Sequence, residues 1–119
     1  MLPGRFFERR KFMSEAMNTS SAYIHVFQKP LEYEGNTYNK VTMDFGKLTG
    51  KDYMAIDREI REIEGRVVSA AVFDTSFMMR LACRASSEKI SFEAIQSAPL
   101  ADFNRIRDKV RSFLLSTET

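Results

Sequence analysis

The chain has 119 residues, a length that fits one domain of ordinary size, and 44% of them are apolar, enough to fill a core. No apolar run approaches the ~20 residues that span a bilayer and no signal-peptide core is present, while Cys83, the only cysteine, excludes an internal disulfide. Of the net charge of +2, residues 1–13 hold +3 (Arg5, Arg9, Arg10 and Lys11 against Glu8), which leaves the rest at −1 and speaks against nucleic acid as a partner of the body.

The basic leader RFFERRKFM reads as translated upstream sequence. Glu8-Arg9-Arg10-Lys11 is encodable as a purine-rich ribosome-binding sequence, Lys11 and Phe12 supply a short spacer, and Met13 follows. The expectation is therefore a true start at Met13 and a disordered leader over 1–21. Residues 22–116 are expected to form a single α+β domain, and 117–119 a tail.

AYIHVFQKP, from residue 22, reads as a strand with Ile24 and Val26 on one side and Tyr23, His25 and Phe27 on the other. Pro30 ends or edges it. LEY is a second short strand, and Gly35 and Asn36 provide the turn residues that tolerate positive φ. A third strand presents Val41, Met43 and Phe45 on one face and Lys40, Thr42 and Asp44 on the other. The expected product is a small N-terminal antiparallel β-meander, followed by three to four helices.

The first helix opens at Thr49 with Asp52 in a capping arrangement. It closes at Gly65, and Tyr53, Ile56, Ile60 and Ile63 form its apolar stripe. Residues 66–72 read as mostly loop. Asp74 is the N-cap of a helix over 75–86, Ser91 caps a short one, and Pro99 sits near the first position of the last. That last helix carries Leu100, Phe103, Ile106, Val110, Phe113 and Leu114 on one face. The apolar faces predict that Val41, Met43 and Phe45 meet Ile56, Ile60 and the last helix.

Chemistry-bearing patterns are scarce. His25 and Cys83 are the only base and nucleophile of their type, and a lone strand histidine beside Tyr23 and Phe27 reads as a packed or edge residue. One His and one Cys do not make a zinc site. Glu32 and Glu34 read as a solubilising face, and FGKLTGK as a turn plus cap. The expectation is a non-enzymatic protein with no catalytic residues, no metal and no cofactor.

The order of features resembles that of the tail assembly chaperones of long-tailed bacteriophages, found in lambdoid, Mu-like and related prophages. The resemblance spans about residues 22–115 and rests on a hairpin with a glycine at its turn (Gly35), the LTGKD step at 48–52, the LACRAS helix end at 81–86, and a closing helix over 99–114 with Asp102-Phe103 inside it. The leader before Met13 has no counterpart in that pattern. The resemblance implies a binding function: such proteins hold the phage tape measure protein, a very long helical protein, in soluble form, promote tail-tube assembly around it, and leave before the virion matures. It implies the bacterial cytoplasm as location, the tape measure protein and possibly the tail-tube protein as partners, and in many members a longer, frameshifted product. The rival reading is a small helix-turn-helix DNA-binding regulator using Arg80, Arg84, Arg105 and Arg107.

A helical wheel leaves Met54, Met79 and Leu115 outside the core stripes. These three are the candidate partner-binding residues, methionine being suited to adaptable docking surfaces.

Overall fold

The computed structural model describes residues 21–117; the leader over 1–20 and the last two residues of the expected tail lie outside them. The fold is α+β, a two-stranded antiparallel sheet followed by four helices. Strand β1 is Ala22–Tyr33 and β2 is Asn36–Asp44. The expected three-stranded meander is thus a single hairpin: β1 does not stop at Pro30 but runs past it. The register slips between Val26, opposite Lys40, and Leu31, opposite Tyr38, so residues 27–30 bulge out of the ladder. A bulge is where a sheet tolerates a proline, since no ladder donor is required there. The turn also falls one residue earlier than expected. Tyr33 pairs with Asn36, and Glu34 (φ 49°) and Gly35 (φ 82°) occupy the positive-φ positions of a two-residue turn, whose twist matches that of the strands.

The outer edge of β2 is partly finished by the segment after the second long helix. The Ser87 amide donates to the Thr42 carbonyl at 2.8 Å. The Glu88 carboxylate accepts from the Thr42 amide at 2.7 Å and its hydroxyl at 2.9 Å. A side chain here takes the place of a third strand.

Helix α1 is Gly50–Glu59, extended by a π-helical turn over Ile60–Glu64. Thr49 and Asp52 form the expected reciprocal cap, with the Thr49 amide donating to Asp52 Oδ2 at 2.8 Å. Gly65 closes the helix at φ 68°. Helix α2 is Thr75–Ala85, α3 is Phe92–Gln96 and α4 is Leu100–Ser116. The Asp74 carboxylate accepts from the Phe77 amide at 2.9 Å, and the Ser91 hydroxyl from the Ala94 amide at 3.1 Å. The expected ends of these elements come from such caps and agree to within a residue or two.

Val41, Met43 and Phe45 are buried with Ile56, Ile60, Ile106 and Val110 in one core, and Phe45 stacks on Phe113 with centroids 5.1 Å apart. The stripes fail at helix ends. Ile63 is 69% exposed and Leu100 72%. The π turn winds fewer degrees per residue, which carries Ile63 off the face shared by Ile56 and Ile60. Leu100 opens its helix, before α4 has descended onto α2. Tyr53 lies partly exposed, its ring 4.7 Å from that of Phe77.

Helix α2 is the centre of the molecule. Phe77, Met78, Met79, Leu81, Ala82 and Ala85 are all buried, so no single stripe describes it. This corrects the placing of Met79 on the surface: it is 0% exposed. The loop between α1 and α2 contains one 3-10 turn, Ala71–Phe73, and is tied down by charge. Arg66 grips Asp74 through two donors, at 2.6 and 3.0 Å, and donates from Nε to Glu64 at 3.0 Å.

This clamp gives a pH-dependent prediction. The Arg66 guanidinium holds the Asp74 carboxyl below its ordinary value, outweighing the opposing effect of partial burial. A folded-state pKa below the unfolded one contributes stability that is present above the unfolded value of about 3.9 and is lost as pH falls through the folded value. Asp74→Asn keeps a capping oxygen and removes the charge. It should cost about 1 kcal/mol at pH 7 in urea unfolding, discounted for the half-exposed arginine. The gap between wild type and variant should narrow as pH falls below the unfolded carboxyl value of about 3.9.

Candidate functional site

Two places in the molecule concentrate features that a plain core does not need. The first is buried and polar. His25, on the inner face of β1, donates or accepts at both ring nitrogens: Nε2 lies 2.7 Å from Asp102 Oδ1 and Nδ1 lies 2.9 Å from the Tyr23 hydroxyl. His25 and Asp102 are both buried, and the His25 ring meets Phe27 edge-on at 5.0 Å. Burial raises the Tyr23 phenol above its ordinary value, opposed by nearby Arg105. Lys109 sits 5.3 Å over the Tyr23 ring. The arrangement links β1 to α4 by hydrogen bonds and aligns two residues 77 positions apart. The trio holds the hairpin on the helix through these two hydrogen bonds.

Sequence reasoning left His25 as either a packed or an edge residue and missed its partner; the residue is packed, 2% exposed. The available signal was Asp102 itself, a carboxylate four residues before Ile106 on the apolar face of the last helix. Such a position implies a buried partner. Cys83 does not approach this trio in any hydrogen bond among the described residues. Burial pushes its thiol up to about 12, with Glu93 adding to the shift, which leaves it a poor nucleophile. The described residues contain no group of three or more His, Cys, Asp or Glu side chains able to hold a metal, and no described helix is long and apolar enough to cross a membrane.

The second place is a groove of about 530 Å³ among the four helices. Ile63 and Glu64 line it from the end of α1, Thr75, Ser76, Met79 and Arg80 from α2, Phe92, Glu93 and Gln96 from α3, and Phe103 from α4. Met79 is its floor. Arg80 forms a polar wall that is fully engaged. Its guanidinium lies 4.0 Å over the Phe92 ring, donates to Glu64 at 3.2 Å and to Ser76 at 3.2 Å, and sits 3.6 Å from Glu59. Glu64 also accepts from the Ser76 hydroxyl, which is the main reason its carboxyl is lowered. Exposed Ile63 and Leu100 stand at the end of α1 and the start of α4, on the elements that wall the groove.

The three sequence-derived docking residues do not form one surface. Met79 lies beneath this groove. Met54, 64% exposed, and Leu115 are on the surface, next in sequence to residues of a smaller cleft. That cleft, of about 270 Å³, is lined by Leu48, Thr49, Gly50, Tyr53, Leu81, Phe113, Leu114 and Thr117. Two of the arginines of the helix-turn-helix reading, Arg80 and Arg84, are paired with carboxylates of the chain itself. Arg80 is tied as described, Arg84 donates to Asp52 at 2.9 Å, and Arg105 stands beside Tyr23. Comparison with protein-family models, with curated proteins and with solved structures found no match.

The trio makes a direct prediction. Asp102→Ala removes the acceptor of a buried histidine, and leaving such a pair broken costs about 3 kcal/mol or more. Chemical denaturation should register that loss, and the double variant His25→Phe with Asp102→Ala should be less destabilised than Asp102→Ala alone. A double-variant loss equal to the sum of the two single-variant losses would mean that the residues are not coupled.

Proposed function

We propose that the protein is a non-enzymatic binding protein of the tail assembly chaperone type, whose inter-helical groove receives a helix of the phage tape measure protein and keeps it soluble while tail-tube subunits assemble. The observation that carries the reading is the groove itself. It has an apolar floor and aromatic walls (Met79, Phe92, Phe103), exposed Ile63 and Leu100 on its bordering helices, and a polar wall already satisfied internally. An amphipathic helix laid into an apolar groove is a standard mode of recognition, read through anchors at i, i+3 and i+4. The resemblance in the order of sequence features supports the same reading. The internal commitment of Arg80 and Arg84 weighs against the DNA-binding alternative, because a charge neutralised by a carboxylate releases no counterions from a phosphate backbone.

The test is co-expression with a phage tape measure protein. The wild type should carry that protein into the soluble fraction and co-purify with it. Ile63→Asp and Leu100→Asp change exposed residues, so the circular dichroism spectrum and melting temperature should hold. Co-purification should fall by about tenfold, as when an apolar anchor is replaced by a charge at an interface. Met54→Glu, outside the groove, serves as the control and should bind as the wild type does. A tape measure protein that is equally soluble without this chain, or full binding by Ile63→Asp, whose side chain lines the groove, would refute the proposal.

A further inference from the structure

The charges that line the groove do not balance, and the ion pairs show where the surplus lies. Glu64 and Arg80 answer each other at 3.2 Å. Glu64 also takes Arg66, and Arg80 also meets Glu59 at 3.6 Å, so each is paired twice within the chain. The remaining charged residue of the lining is Glu93, on α3. It is exposed and has no hydrogen-bond or ion-pair partner among the described residues. Two carboxylates and one guanidinium leave one negative charge on the lining, and the pairings assign it to Glu93. That carboxylate shares the groove with Met79, Phe92 and Phe103, and apolar walls screen a charge less than open water does. Its field also reaches inward, where it adds to the effect of burial in raising the Cys83 thiol.

We infer that the helix received by the groove is basic at the border of its apolar stripe, and that a lysine or arginine there pairs with Glu93. The inference rests on the proposed use of the groove and adds the sign of the partner's charge to it. The placing follows from the wall itself. Phe92 and Glu93 are neighbours on α3, so a partner residue that meets Glu93 lies beside one that meets Phe92, at the edge of the stripe. A long basic side chain suits that edge, since its methylene stem covers the apolar wall while its head reaches the carboxylate. Gln96, three residues on and on the same side of α3, adds a neutral acceptor to the same wall. A partner glutamate at this border would meet Glu93 as a like charge, so one contact both attracts the right helix face and rejects the wrong one.

Two synthetic fluorescein-labelled peptides test the inference directly. Both are amphipathic helices of about five turns with the same Leu/Phe stripe, and they differ in having Lys or Glu at the positions that flank the stripe. Fluorescence anisotropy is read with the wild type, Glu93→Gln and Glu93→Lys, each checked for folding by circular dichroism. The wild type should bind the Lys peptide about threefold to fivefold more tightly than the Glu peptide, the scale of a partly exposed charge pair, and the difference should narrow as salt is raised. Glu93→Gln should abolish the preference, and Glu93→Lys should reverse it. Ile63→Ser, made in parallel, alters the groove without altering its charge and should weaken both peptides alike. Equal binding of the two peptides by the wild type overturns the inference and leaves the groove reading standing. A preference kept in Glu93→Gln does the same, and leaves Glu93 serving only the first turn of α3, where a negative charge favours the helix end. Binding of neither peptide, or full binding of both by Ile63→Ser, overturns the groove reading together with the inference.

Discussion

A sheet of two strands cannot bury its own apolar face, and that constraint organises the rest of the molecule. Val41 and Met43 on β2, with Phe45 just after it, need a layer above them, and the helices supply it. α2 is buried on most of its circumference because it lies between the hairpin and the other helices. α4 crosses the sheet with Ile106 and Val110 in the core and Phe113 stacked on Phe45. Burial is non-directional and would not by itself fix how α4 sits on β1. The hydrogen bond from His25 to Asp102 is directional, and a one-residue slip of the strand would point His25 away from the helix.

The charged residues around this core work mostly for the fold. Glu64 and Asp74 collect Arg66 and Arg80 and so fasten the end of α1 to the start of α2; Asp52 fastens α1 to the end of α2 through Arg84. Asp74 serves twice, as helix cap and as ion-pair partner. The groove is bordered by some of these internally paired groups, Glu64 and Arg80.

What the sequence made legible was local. Thr49 with Asp52, Gly65, Asp74, Ser91 and Pro99 each act within a few residues, so the helix ends could be read without tertiary information. The alternation of Tyr23, His25 and Phe27 against Ile24 and Val26 likewise separated the two faces of β1, without saying which one faces inward. The rest depended on geometry that local patterns do not carry. Pro30 looked like the end of a strand because nothing nearby announces a bulge. The wheel put Ile63 in the core because it assumed α-helical winding through a π turn. Met79 looked exposed because a single stripe was expected of a helix that is covered nearly all round. The groove was missed for the same reason: its walls come from four helices, and Phe92, Phe103 and Arg80 acquire their relation only when these pack. Asp102 left a trace, a carboxylate on an apolar face, whose meaning required its partner 77 residues away.

Binding at the inter-helical groove, as proposed, is distinguishable from binding at the edge of the hairpin. Hydrogen–deuterium exchange of the protein with and without a soluble helical segment of the tape measure protein measures this most directly. The account predicts new protection at the π turn over Ile60–Glu64, the start of α2, α3 and the first turns of α4, with β1 and β2 unchanged. Protection gained instead along the edge of β1 or β2, with the groove segments unchanged, would contradict it.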